Sequence, residues 1–166
     1  MNEPIQQCIH MSGWNGYHHK WADQIPYTFD EMKDYHMNVR KFSDVAYHFI
    51  IDPLGEVLIG RDVDTKPASA TSHNDNVIAI CLIGDFNGNR QITPDQRSSL
   101  KALLLDNCKK YIIPNGVAPK SCTDMHHIFG HCDYRDPPGN RYCPGTNLKR
   151  ELTIIAREIF TENFRG

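Results

Sequence analysis

V-I-A-I-C-L-I-G, residues 77 to 84, is apolar from end to end before its closing glycine. A strand with one wet face alternates apolar and polar side chains; an unbroken apolar run leaves no face for water. The run therefore predicts a central strand covered on both sides. Just upstream, V-A-Y-H-F-I-I-D at 45 to 52 reads as a second strand. D-P-L-G at 52 to 55 makes a turn, and E-V-L-I-G at 56 to 60 is its hairpin partner. Residues 62 to 76 are polar and lack periodicity, so they read as loop.

Further out, helices supply the cover. Thr28-Phe29-Asp30-Glu31 is a capping box, which predicts a helix to about Arg40 with Phe29, Met32, His36 and Val39 on one stripe. Ile5 to Met11 is a first strand with His10 at its C-terminal end. Thr93-Pro94-Asp95-Gln96 gives an N-cap, a proline at the first helical position and a second capping box. That helix should reach about Tyr111, with Leu100, Leu103, Leu104 and Cys108 inward, before Pro114-Asn115-Gly116 stops it. Met125 to Phe129 is a short strand. Thr146 to about Asn163 is a last helix, with Leu148, Leu152, Ile155 and Ile159 in line. The order is β-α-β-β-β-α-β-α. The expected class is α/β: a central mixed sheet of about five or six strands flanked by about three helices.

Bulk numbers narrow the function. A chain of 166 residues has room for one domain with a sizeable core. A net charge of -2 gives no global field to recruit nucleic acid. No apolar run is long enough to span a bilayer. Met1-Asn2-Glu3-Pro4 lacks the basic and apolar regions of a secretory signal. On that ground the six cysteines are expected to be mainly reduced, one or two of them as metal ligands.

Residues 125 to 145, M-H-H-I-F-G-H-C-D-Y-R-D-P-P-G-N-R-Y-C-P-G, concentrate the chemistry. His131 and Cys143 are presented by turns, as an imidazole and a thiolate in a metal site often are. A catalytic zinc takes three protein ligands and keeps one position open. His10 completes such a set if the first strand lies beside the strand before His131. Taken alone, His10 is a strand-end histidine of the kind that is more often structural. Residues 12 to 27 carry Trp14, Tyr17, Trp21 and Tyr27 and read equally as a packed loop or as one wall of a cleft.

Read together, these words resemble the zinc-dependent N-acetylmuramoyl-L-alanine amidases of type 2, which share a fold with the peptidoglycan recognition proteins. The nearest likeness is to single-domain phage lysozymes with amidase activity. It runs in order from about Ile5 to Phe160: I-H-M-S at 9 to 12, A-Y-H-F-I-I-D with G-E-V-L-I-G-R, H-N-D-N-V-I-A-I-C-L-I-G-D, I-T-P-D-Q, then G-H-C-D with R-Y-C-P-G. The resemblance implies one zinc ion held by His10, His131 and Cys143, with Tyr47 and Arg141 as catalytic partners. Arg141 stands where the family commonly has lysine, trading an ammonium for a fork that keeps its proton. Cys81 stands where several relatives carry a catalytic glutamate, which the phage branch also lacks. Ser69 replaces a histidine often seen ahead of the loop. His73, Asn74 and Trp14 are candidate substrate contacts. His48 is expected to be structural, Cys132 a buried thiol, and one of His126 and His127 an orienting neighbour.

The implied function is hydrolysis of the amide between N-acetylmuramic acid and L-alanine in peptidoglycan, by an endolysin that lyses the host cell. Residues 1 to 166 would form one amidase domain, core about 5 to 160, without a separate wall-binding domain. It would be a monomer whose partner is peptidoglycan rather than nucleic acid. It would be made in the host cytoplasm and reach the wall after a holin opens the way. Two alternatives are a module that binds peptidoglycan without cutting it, and a lysin with a second role on the phage RNA polymerase.

Overall fold

The structure is a computed structural model that describes Asn2, Pro4 and residues 6–13, 28–111, 127–134 and 142–163. Among the described residues, five strands form one sheet: β1 (Gln6–Met11), β2 (Phe49–Ile51), β3 (Val57–Ile59), β4 (Val77–Leu82) and β5 (Ile128–Gly130). Three α-helices among the same residues pack on it: α1 (Phe29–Asp34), α2 (Pro94–Lys110) and α3 (Thr146–Asn163). The strand order is β3-β2-β4-β1-β5. β4, β1, β5 and β2 run parallel, and only the hairpin partner β3 is antiparallel. The sheet is therefore mixed, as expected, and β4 is central and wholly buried.

Pleating divides β1 between two jobs. Ile9 and Met11 join Ile51, Ile78, Ile80 and Leu82 under α2 and α3, whose Leu100, Leu104, Cys108, Leu148, Leu152, Ile155 and Ile159 complete the main core. Leu103 is only partly buried against it. The other face carries Ile50, Cys81 and Ile83 under Met32 of α1. Between β1 and α2 a buried amide pair sets the docking: Gln7 Nε2 donates to Leu104 O at 3.0 Å, and Asn107 Nδ2 donates to Gln7 Oε1 at 3.0 Å. Such a pair is tolerated in the core because each member finds its partner.

Both capping boxes form. Glu31 N–H donates to Thr28 Oγ1 at 3.2 Å, and Gln96 N–H donates to Thr93 Oγ1 at 3.0 Å. Gln96 also reaches Ile83 O at 2.9 Å, tying the start of α2 to the end of β4.

Two expectations need correction. The first helix does not stay α-helical to Arg40. From Tyr35 to Val39 it is a π-helix, closed by Arg40 N–H to Tyr35 O at 2.9 Å. The wider turn rotates the stripe, so Val39 points outward and is 61% exposed while Met32 stays buried. The second strand is also shorter than 45 to 52. Residues 45 to 48 are bent, and only Phe49–Ile51 pair in the ladder. Side chains compete for that backbone: Arg61 donates to Val45 O and Asp44 O, and His36 accepts from Ala46 N–H.

Candidate metal centre

The parallel strands bring their C-terminal ends to one edge. β1 pairs with β5 through Gln7↔Ile128, Cys8↔Phe129 and Ile9↔Gly130. His10 ends β1 and His131 follows β5 directly, so the two imidazoles become neighbours with ring centroids 4.5 Å apart. Beyond His131 the chain makes a single 3-10 turn, His131–Asp133. Asp133 holds it by accepting from Gly130 N–H at 2.9 Å and by pairing with Lys149 of α3.

Cys143 comes from the turn that enters α3. Cys132 N–H donates to Cys143 O at 2.7 Å, which pins this turn to the one after β5. Gly145 has φ of +95°, and a Cβ there would lie 2.8 Å from Phe86 O and C, so only glycine lets the turn pack so tightly. Cys143 Sγ lies 3.8 Å from His10 Nδ1. The ligand atoms of His10, His131 and Cys143 all fall within 4.8 Å of one another.

These three residues can hold a metal ion. Two imidazoles and one sulfur form a borderline-soft set. A tetrahedral zinc with ordinary bond lengths needs its nitrogen and sulfur ligands about 3.6 Å apart, close to the 3.8 Å between Nδ1 and Sγ. His10 is 1% exposed and its Nε2 has no hydrogen-bond partner among the described residues, an expensive state for an imidazole with no bound charge nearby. Burial, then the neighbouring His131, holds His10 well below its ordinary pKa. Burial, then His73, brings His131 down to about 4. Both rings are therefore neutral at pH 7, with lone pairs available. Burial pushes the Cys143 thiol up to about 12, against the opposing Met11 N–H.

Tyr47 packs against this group, its ring centroid 5.1 Å from that of His10. Burial, then Cys81 and Cys143, raises its hydroxyl well above the usual range, so it stays a proton donor. Cys81 is the register partner of His10 on β4 and is fully buried. His48 turns away from Tyr47, as expected, and is structural. Its Nδ1 accepts from Ala79 N–H at 3.0 Å, which leaves the proton on Nε2 to bond Thr65 O at 2.9 Å.

The loop from 62 to 76 reaches the same edge. His73 stacks on Tyr134 with centroids 4.3 Å apart and planes 12° apart. Tyr134 in turn stands edge-on to Phe129 at 4.8 Å and lies 6.4 Å from His131. Asn74 Oδ1 accepts from Ser69 N–H at 3.1 Å and Ala70 N–H at 3.0 Å, so that oxygen shapes the loop. Trp14, Arg141 and His126 lie outside the described residues. His127 accepts Gln7 N–H on its carbonyl at 2.6 Å. Cys132 is half-buried rather than buried, and it stands outside the ligand group. Cys8, Cys81, Cys108, Cys132 and Cys143 carry free thiols, and Cys122 lies outside the described residues. Tyr134 was missed in the sequence. Its signal was its place three residues after His131, one 3-10 turn on, where side chains eclipse.

Residues 8–146 match the family model described as N-acetylmuramoyl-L-alanine amidase. The chain belongs to this amidase family. Among curated relatives, peptidoglycan-recognition protein SC2 of Drosophila melanogaster is 31% identical over 118 residues, which are 71% of this chain and 56% of that protein. The endolysin of Escherichia phage T7 is 35% identical over 101 residues, 55% of this chain and 66% of that protein. The chain thus spans between half and two thirds of the length of these relatives. Among solved structures, the N-acetylmuramoyl-L-alanine amidase LysC from Clostridium intestinale URNW superposes with a TM-score of 0.70 at 25% identity, covering 95% of this chain and 86% of that one. All three metal-candidate residues of this amidase-family chain fall within the matched span.

Proposed function

We propose that this chain is a zinc-dependent N-acetylmuramoyl-L-alanine amidase that acts as a phage endolysin. The observation that carries the proposal is the convergence of His10, His131 and Cys143 within 4.8 Å. When bound there, zinc supplies a Lewis acid for the scissile carbonyl and for the attacking water. His10 and His131 are kept neutral by burial and hold the site's donor nitrogens ready. Met11 N–H faces the Cys143 sulfur and stabilises its thiolate form. Tyr47 holds its proton and donates a hydrogen bond to the oxygen that gains charge as the amide is attacked. Losing one such donor typically costs about 100- to 1,000-fold in rate. Arg141 is proposed as the second donor, and His73, Asn74 and Trp14 as contacts to the peptidoglycan strand.

The rest of the proposal follows the same family likeness. The protein works as one domain and a monomer, takes peptidoglycan rather than nucleic acid as its partner, and reaches the wall from the host cytoplasm. Among the described residues no helix is long and apolar enough to cross a membrane. Cys143 favours an enzyme over a module that binds without cutting, because it completes a ligand set that binding alone does not need.

The test is mass spectrometry of purified peptidoglycan after digestion by the zinc-loaded protein. Stem peptides freed from muramic acid are expected, and both a chelator and His131→Ala should abolish them. Retention of intact muropeptide with no release would replace the enzyme by the binding module.

A further inference from the structure

Tyr47 lies in a stretch that is neither strand nor helix, yet its ring is set against His10. A bent segment has no ladder to hold it, so something else must. Polar contacts fix the backbone from 44 to 47, beginning with Val45 N–H to Asp44 Oδ1 at 2.7 Å. Arg61 Nη2 donates to Asp44 O at 3.1 Å and Arg61 Nε to Val45 O at 3.1 Å. Arg61 N–H donates to Tyr47 O at 2.9 Å, and Ala68 N–H to Ala46 O at 2.9 Å. Ala46 N–H goes to His36 Nδ1 at 3.2 Å.

His36 also touches the tyrosine itself. Its ring meets that of Tyr47 edge-on, with centroids 5.7 Å apart. It occupies this place because the helix that carries it changes pitch at Tyr35. Its carbonyl accepts Phe42 N–H at 2.9 Å, and Phe42 packs 5.7 Å from the imidazole on another side. A π-turn inside a helix costs hydrogen-bond geometry and tends to persist where it aims a side chain. Here it aims His36 at the backbone before Tyr47 and at the Tyr47 ring.

We propose that His36 is a positioning residue: it holds the Tyr47 ring in place against His10 of the candidate metal centre by accepting from Ala46 N–H and by packing edge-on against the Tyr47 ring. Arg61 supports it from behind through the neighbouring carbonyls. The proposal rests on Tyr47 acting as a donor in the amidase reaction. His36 itself touches neither substrate nor the ligand group, and its whole effect passes through one tyrosine.

Two variants separate its contacts. His36→Asn keeps an acceptor near the place of Nδ1 and loses the ring. His36→Phe keeps the ring and loses the acceptor. Each is expected to lower kcat on soluble muropeptide about tenfold, as a small misplacement of a reacting group does, with KM within about twofold and zinc still at one per chain. In a Tyr47→Phe background neither should lower kcat further, because the hydroxyl it positions is gone. Equal losses in both backgrounds would overturn the proposal. If the wild type frees no stem peptide, the amidase reading has failed by itself, and a second measurement still decides the positioning. In carbon-13 tyrosine spectra of the zinc-loaded protein, the Tyr47 ring signal is identified by its loss in Tyr47→Phe. Both His36 variants should shift that signal. An unmoved signal in both would sink the positioning role.

Discussion

Zinc uptake by the metal-free protein should tighten tenfold for each unit that pH rises between about 5.5 and 7, below the range in which a zinc-bound water ionises. The slope follows from the protonation state of each ligand. His131 lies at about 4, and His10 is held well below its ordinary value. Neither ring binds a proton in that window, so neither contributes. Burial puts the Cys143 thiol at about 12, so at pH 7 only about one molecule in 100,000 carries the thiolate a metal needs. One proton must therefore leave for each zinc bound, and raising the pH favours binding by that single proton. Competition with a chromophoric chelator across the pH range measures the slope, and indicator dye in weak buffer counts the proton. Cys143→Ala should bind more weakly and with a flat profile over the same window. A second proton released at about pH 6, below the range in which a zinc-bound water ionises, would mean that a histidine is charged in the free site. None would mean that the thiol is ionised already. Either count refutes the electrostatic picture.

Three further outcomes are expected. Gly130→Ala should weaken zinc about ten- to a hundredfold, read by the same competition, because the new Cβ would lie 2.5 Å from Pro144 Cδ and displace the turn that carries Cys143. Urea unfolding of the zinc-free protein should show stability that is complete above pH 6.5 and falls as pH drops toward 4. His36, lowered to about 4 mainly by burial, stays neutral in the fold while the unfolded chain takes up a proton, and His10 and His131 act in the same direction. His36→Asn should remove part of that slope. Leu104→Ala, at a fully buried position between α2 and the sheet, should cost about 2–5 kcal/mol in denaturant unfolding and leave the zinc stoichiometry at one.

Local chemistry explains how much of this was readable. The unbroken apolar run at 77 to 82 and the helix capped by Thr93 appear where expected, and the helix capped by Thr28 starts where expected but changes pitch at Tyr35. His131 and Cys143 announced themselves by residue type and turn context. His10 did not. Only the register of β1 against β5, a long-range pairing, shows that it faces His131. The bend at 45 to 48 was hidden for the same kind of reason. V-A-Y-H-F has strong strand preference, but Arg61 and His36 take its polar groups from elsewhere in the chain. The π-turn escaped because helical spacing predicts a stripe and cannot register one extra residue per turn. Val39 was misplaced by that slip.

The separation of 133 positions between His10 and Cys143 has a consequence for how the protein comes into being. β1 is made before β4 and β5, yet its place is between them. It must wait with one edge unpaired until residue 130 exists. Bringing the two ligands together closes a loop whose entropy costs about 4 kcal/mol, a cost met only once β4, β5 and the turn into α3 are in place. A growing chain therefore has its core before its three candidate ligands meet. Metal capture at the proposed site would then be the closing event of synthesis.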